Sequence, residues 1–510
     1  MLQRKKMKQK MAQPDGEKPS YKIVLHTLSI LLIALSFYHL SAYLFVALSR
    51  MSYPYGLEWI EGSVLEHAQR ILQGRPIYVE PGLDFIPYLY TPLYYYISAL
   101  VLLPAGKGFF ALRLLSFLAS VGSALVILQF VKTETKSLFC ALLSAGFFFA
   151  TYQMCGAWFD LARVDSLFLF LMLLSLYLLK SKESIFAFCA AGVFSFLAFM
   201  TKQSALPIIG FVSCYLFLFH RWKGLYYFGS AMSLICASVL MLNQGTSGWF
   251  WYYCFDMPSQ HPFTQTSHDF FVSLLLKNIP ISLAFIPCIF ALFALTKNWK
   301  QLGFFSLVLA SSFTVSWSSY LRAGGYINTV MPLNAILAIM LGVGFHAMKS
   351  SLVSSHSKNA KLFIPAVLAL LVCQFTWLIY NPMKNIPTKA DRSAGDRLLN
   401  IVQKFEGDVY IPSHDYLAVM GGKESFAHTA PWLDIIRTHD TRLKEKIIRE
   451  FTEAVGSRQF DAIILDTDRN PLLPVIEKTY KYSGNIFSND DFYPLTGVRT
   501  RPDLIYLPID

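Results

Sequence analysis

IVLHTLSILLIALSFYHLSAYLFVAL, Ile23 to Leu48, is an uninterrupted apolar run of 26 residues. About 20 such residues cross a bilayer as a helix. The run is far longer than the apolar core of a signal peptide and lacks a small-residue cleavage site, so it reads as a retained membrane helix. Comparable runs recur at about 109–131, 137–155, 165–180, 184–200, 204–220, 224–242, 270–296, 301–319, 327–347 and 361–380. That predicts a polytopic α-helical membrane protein of about eleven spans of roughly 16–28 residues. With 54% of residues hydrophobic and 15% charged, a soluble fold of 510 residues is excluded. The segment Tyr90–Leu103 is too short to span and starts at Thr91-Pro92, so it reads as an outer juxtamembrane or re-entrant helix.

A net charge of +12 raises the question of nucleic acid, but the cations sit in short loops between apolar runs. They cluster at Arg4–Lys10, Lys132/Lys136, Lys180/Lys182, Arg221/Lys223, Lys297/Lys300 and Lys349/Lys358/Lys361. This is the distribution the positive-inside rule demands, and it gives no case for a nucleic-acid partner. Placing these loops in the cytoplasm leaves residues 1–21 there and puts a first loop, 50–108, on the outer face. Most acidic residues of the first 380 fall on that face, so chemistry belongs there. The 8 cysteines sit in or beside apolar helices, none beyond Cys373, without metal or disulfide spacing. The absence of an Asn-x-Ser/Thr sequon favours a bacterial periplasm, and hence an inner-membrane location, over an endoplasmic lumen.

From about 381 the composition changes. Asp408–Pro412 and Phe460–Asp466 read as short buried strands, and Asp440–Val455 between them as a helix. The expectation is a small outer α/β domain over 381–510, large enough for its own core, below a transmembrane domain of 22–380.

Following the first span, GLEWIEGSVLEHAQRILQGRPIY (Gly56–Tyr78) carries three glutamates where neighbouring sequence avoids charge. On a wheel at 100° per residue, Leu57, Ile60, Val64, Ala68 and Ile71 share one face, as in an amphipathic helix lying on the membrane surface. Glu66 falls opposite, in water, and Glu58 at the margin. Glu61 lies about 40° from Leu57, inside the apolar sector, where a carboxylate must be paired, neutralised or desolvated. A snorkelling acid at a helix edge is the plain alternative.

This loop continues into DFIPYLYTPLYYY (Asp84–Tyr96) and GFFALRLLSFLAS (Gly108–Ser120), an order that resembles the GT-C superfamily of membrane glycosyltransferases. Protein O-mannosyltransferases and the aminoarabinose transferases of lipid A are relatives in that group. Glu61 matches the glutamate of the family's Asp-Glu pair, with Gly74, Tyr78 and Tyr90-Thr91-Pro92-Leu93 following in register. Ile60 stands where the family has its catalytic Asp, so Glu61 first, or Glu58 second, takes that role. The resemblance implies a polyprenyl-phosphate sugar donor, a lipid, glycan or protein acceptor, inversion at the sugar carbon, and no cofactor.

Other outer-face residues are candidates for the donor's phosphate and sugar. WFDLARVD (Trp158–Asp165) places Asp160, Arg163 and Asp165 close enough for one charged cluster, with Arg163 pairing either acid or the acids binding sugar hydroxyls. Two carboxylates are too few to predict a metal, although a divalent ion there stays open. Lys202, Arg322 and the neighbouring Tyr326 can hold a phosphate or sugar, or the cations can simply snorkel. Arg113, inside an apolar helix, pairs an outer-loop acid or the phosphate. The aromatic loop Trp249–Phe270, with Asp256, His261 and His268, reads as an interfacial belt or a closing loop. His414, Asp415 and His428 lie in a tail loop near the membrane, without the Gly-x-Ser-x-Gly of a hydrolase. Two rival functions remain at this point: a transporter or flippase of lipid-linked substrates, and a non-catalytic scaffold.

Overall fold

The computed structural model describes residues 19–106, 108–354 and 360–509. The basic residues Arg4–Lys10 and Lys358 lie outside these residues. The helical part comprises α1 (Pro19–Arg50), α2 (Glu61–Leu72), α3 (Leu93–Ala105), α4 (Phe109–Thr135), α5 (Leu138–Ala150), α6 (Asp165–Ser181), α7 (Ile185–Thr201), α8 (Ala205–His220) and α9 (Lys223–Gly245). A short irregular helical stretch follows over Trp249–Ser259, then α10 (Gln265–Asn278), α11 (Pro280–Leu295), α12 (Trp299–Leu321), α13 (Met331–Ser354) and α14 (Ala360–Trp377).

Every segment expected to span is helical, but the spans are less uniform than their sequence suggests. Among the described residues five helices are long and apolar enough to cross a membrane, or up to seven if each of two bent pairs counts as one span. The chain is an integral membrane protein. The expected span 270–296 is two helices meeting at 88°. Pro280 has no N–H for the ladder and drives the preceding residue, Ile279, out of helical geometry. Gln374 of α14 brackets the break, donating to Asn278 O at 2.7 Å and accepting from Ile281 N at 3.2 Å. That leaves fewer orphan backbone groups in an apolar setting.

Helix α13 is central: the most apolar window of Ile327–Leu352 is 89% buried, against 17% for that of α9. It packs closely because Gly342 lies against α5, where a Cβ would meet Ser144 Oγ at 2.2 Å and Cys140 O at 2.7 Å. Small residues of this kind let helices approach where no hydrophobic force draws them together.

After α14 come α15 (Lys389–Lys404), β1 (Asp408–Tyr410), α16 (Tyr416–Met420), α17 (Thr429–Ile436), α18 (Thr441–Gly456), β2 (Phe460–Leu465), α19 (Leu473–Ile476), β3 (Tyr480–Asn485) and β4 (Leu504–Pro508). The sheet order is β1-β2-β4-β3, with β1 and β2 parallel and the other neighbours antiparallel. Both expected strands and the intervening helix are present, the helix capped by Asp440, which accepts from Leu443 N at 3.0 Å. A smaller separate core gathers Tyr410, Phe426, Phe451 and Phe460 with Ile463, Leu465, Ile476 and Tyr480. The larger cluster runs continuously from the membrane helices into Leu398, Ile411, Leu417 and Ile435. The tail shares its core with the helical bundle.

Helix α2 is where the wheel misleads. It begins at Glu61, not Gly56; residues 56–60 form a turn in which Glu58 bridges to Thr496. Residues 61–68 are buried on every side, because the tail closes over the face expected to meet water. Tyr416 packs against Gly62, where an added Cβ would lie 2.3 Å from its ring. Glu66 is therefore buried rather than solvated, and accepts from Ser425 Oγ at 2.7 Å. His67 stacks between Tyr88 and Tyr95, its Nδ1 2.6 Å from Ser63 O and its Nε2 accepting from Tyr88 N at 3.1 Å. Burial lowers its pKa to about 3 and keeps it neutral.

Candidate active site

Four ion pairs with little exposed side-chain surface organise one end of the helical bundle. Arg113 of α4 holds Glu61 with Nη2 at 2.7 Å and Nε at 3.2 Å, and donates also to the carbonyls of Tyr53 and Tyr55. Arg50, the last residue of α1, pairs with Asp160 at 2.7 Å and donates to Ala157 O and Asn385 O. Lys202 reaches Asp165 at 2.7 Å, and Arg163 reaches Glu58 at 2.7 Å. The expected Asp160–Arg163–Asp165 cluster is thus divided: each member takes a partner from another part of the chain. A helix end turns the three side chains in different directions, which spacing alone cannot reveal. Arg50 escapes sequence reasoning altogether, since a basic residue closing a first span looks like an ordinary interfacial anchor.

The two leading glutamates have opposite surroundings. Glu61 is fully buried and accepts from Arg113, Ala162 N at 2.7 Å and Leu57 N at 2.7 Å. Burial works against its charge, but Arg113 and these donors win and hold its pKa below the usual carboxylate value. Its oxygens are saturated and it does not line the cavity described next. Glu58 accepts only from Arg163 and, at 3.2 Å, from Ile60 N. Burial dominates there, the nearby Glu61 charge adds to it, and despite Arg163 the Glu58 pKa rises to about 7. The order expected for the two glutamates is therefore reversed in space: Glu61 pins the loop to α4, and Glu58 faces the open site.

That site is a cavity of about 880 Å³ between the helical bundle and the tail. Of the residues singled out in the sequence it collects Glu58, Tyr90, Arg163, Lys202, His261, Arg322 and Tyr326. It leaves Glu61, Arg113, Asp160 and Asp165 behind its walls. Arg163 lies 5.2 Å from the Trp158 ring and donates to Tyr90 OH at 3.3 Å; its Nε has no partner. The ammonium of Lys202 sits 5.7 Å from the same Tyr90 ring. Tyr326 OH is 3.1 Å from Thr496 Oγ1. Arg322 donates to Pro258 O and covers the Phe263 ring.

The aromatic loop forms the roof. Its Gln260 accepts from His439 N at 2.7 Å, and His261 lies 3.6 Å from Asp434 of α17. Burial lowers the His261 pKa to about 4 and raises that of Asp434 to about 6, so both shift toward neutrality. Asp434, Arg437, Asp466 and Arg469 also line the cavity. Nothing in their sequence marked them, because they reach the site only through the tail's fold. His428 and Asp415 instead tie the tail to the loop: Asp415 accepts from Ser63 Oγ at 3.2 Å, and His428 Nε2 lies 3.2 Å from Trp59 O. Among the described residues no group of three or more His, Cys, Asp or Glu converges as a metal site requires.

The bundle has two chemically distinct ends. Lys180 meets Glu134, and Lys223 meets Glu183, at one end. The cavity residues 163, 202–207 and 322–329 lie at the opposite ends of α6, α8 and α12.

No family model matches the sequence, and no curated protein is similar to it. Solved structures are. ArnT from Cupriavidus metallidurans, in the apo state, aligns over 94% of this chain and 97% of its own with a TM-score of 0.58 at 11% identity. Its form bound to undecaprenyl phosphate aligns with the same TM-score at 12% identity. The oligosaccharyltransferase of Archaeoglobus fulgidus aligns over 92% of this chain and 74% of its own, TM-score 0.50, 11% identity. The chain has the GT-C fold. Residues 58–60 and 88–90 of the loop after α1 wall the cavity together with the tail.

Proposed function

We propose that this chain is a membrane glycosyltransferase that moves a sugar from a polyprenyl-phosphate donor to an acceptor hydroxyl on the outer, periplasmic face of an inner membrane. The observation that carries the reading is Glu58: a cavity-facing carboxylate with its pKa near 7, beside a sealed glutamate with its pKa held low. Two carboxylates driven apart by environment mark which one exchanges protons. Glu58 takes the proton from the acceptor hydroxyl as its oxygen attacks the sugar C1. The C1–O bond to phosphate breaks with inversion, and the phosphate keeps the electron pair.

Lys202 and Arg322, with the unpartnered Nε of Arg163, supply the positive charge that receives this leaving group. The likeness to an ArnT structure holding undecaprenyl phosphate supports the donor class. Basic loops at the end away from the cavity support an outer-facing site. A transporter needs polar residues through the membrane thickness, whereas the ion pairs of the bundle lie at its two ends.

The test is complementation. Deletion of the gene should remove one sugar from an envelope glycan or lipid. The wild-type gene should restore it and Glu58→Gln should not. Full restoration by stably expressed Glu58→Gln defeats the assignment.

A further inference from the structure

The proposed reaction leaves the acceptor unspecified, and the tail's wall of the cavity carries the strongest pointer to it. β1 and β2 run parallel, and the chain leaving each carboxyl end turns into the cavity: Pro412-Ser413 after β1 and Asp466-Thr467 after β2. Ligands in α/β folds commonly sit outside such strand ends. Asp466 has a side chain only 10% exposed, and neither of its oxygens has a hydrogen-bond partner. His414 Nε2 lies 3.6 Å from Asp466 Oδ2 and 3.3 Å from Thr500 Oγ1. A buried carboxylate without donors costs several kcal/mol by order of magnitude, so the pocket calls for a ligand that brings donors.

Two kinds of ligand bring them: an ammonium, or a pair of sugar hydroxyls. Net charge decides between them. The cavity wall carries five Lys or Arg side chains against three Asp or Glu. An ammonium would enter against that field, whereas a neutral saccharide pays no such cost and meets further hydroxyl and amide partners in Ser413, Thr467 and Asn470. The distance to the proposed base also fits. Glu58 bridges to Thr496, and an added Cβ on Gly497 would lie 2.9 Å from its Oε1. From Gly497 to Thr500, which touches His414, the chain spans at most roughly 11 Å. A mono- or disaccharide covers that interval.

We propose that Asp466, with His414 and Thr500, forms an acceptor subsite that binds a hydroxyl pair of a saccharide and delivers another hydroxyl to Glu58. This rests on the glycosyltransferase reading. The test uses the full chain in lipid nanodiscs, titrated with the methyl glycosides of glucose, galactose and mannose and with glucosamine, followed by tryptophan fluorescence. Trp59 and Trp432 line the cavity and report on it. Undecaprenyl phosphate binding is measured in parallel.

The expected result is binding of at least one neutral glycoside, weakened at least tenfold in Asp466→Asn, with undecaprenyl phosphate binding unchanged. Asp466→Asn should also melt no lower than wild type, since the carboxyl it replaces makes no hydrogen bond among the described residues. Asp468→Asn, which does not line the cavity, should bind as wild type. The proposal is overturned if Asp466→Asn binds the glycoside normally, if glucosamine alone binds, or if no neutral glycoside binds. Loss of undecaprenyl phosphate binding in the wild type would instead strike the donor reading, so the two failures are distinguishable.

Discussion

Glu58 sets stability and chemistry against each other over the same pH range, and the stability side can be worked from the structure. Its pKa rises from 4.5 to about 7 on folding, mainly because burial penalises the charge. Between those values the folded chain holds a proton that the unfolded chain has released. Stability is then fully present below about 4.5 and is lost as pH rises through about 7. A rise from 4.5 to about 7 corresponds to a loss of about 3 kcal/mol. Glu58→Gln has no such slope. Its fixed cost, a weaker bond to Arg163, does not vary with pH, so the difference between variant and wild type isolates the titration. For 510 residues an unfolding entropy near 2.1 cal/mol/K per residue converts this to about 3 °C in melting temperature. Melting curves of both proteins in nanodiscs from pH 4.5 to 8 should show the variant gaining about 3 °C on the wild type. A constant difference across that range, or one that shrinks, would refute the claim that burial dominates at Glu58.

Other expectations follow from the remaining geometry. Arg113→Met strands the Glu61 carboxylate in a sealed site and should cost about 3–5 kcal/mol, seen as a lower melting temperature; the double change with Glu61→Leu should recover much of it. Lys202→Ala and Arg322→Ala should each weaken undecaprenyl phosphate binding about tenfold or more, the value of one charged hydrogen bond, in a direct titration. Gly497→Ala introduces a side chain at φ +81° and 2.9 Å from Glu58. It should cost about 1–2 kcal/mol in stability from the left-handed backbone alone and reduce transfer further by displacing the carboxylate.

The helical architecture was legible because apolar length is a direct consequence of bilayer thickness, and the strands at 408 and 460 because short β-branched runs have few other readings. Positions that depend on which elements meet were not. Glu66 looks solvated on a wheel because the wheel does not know that Asp415 and Ser425 will close over it. Glu61 was singled out correctly as a carboxylate that cannot face water, yet the same burial that marks it also saturates it. Glu58, only three residues away, looks marginal in sequence because it belongs to a turn rather than to the helix. The cavity's tail residues, Asp434 and Asp466 among them, carry no local signal at all: a short helix, Thr429–Ile436, carries the first to the site and the end of β2 the second.

The central claim is that Glu58, and not Glu61, exchanges the proton. It is tested most directly by the pH dependence of kcat/KM for sugar transfer from the polyprenyl-phosphate donor in purified wild type, Glu58→Gln and Glu61→Gln proteins. The wild-type rate should rise about tenfold per pH unit below about 7 and level off above it. Glu58→Gln should fall by about 10²–10⁴-fold and lose that rise, the span expected for removing a general base. Folded Glu61→Gln should keep the shape of the wild-type profile. A wild-type rate and profile in Glu58→Gln, or their loss in a fully folded Glu61→Gln alone, would contradict the account.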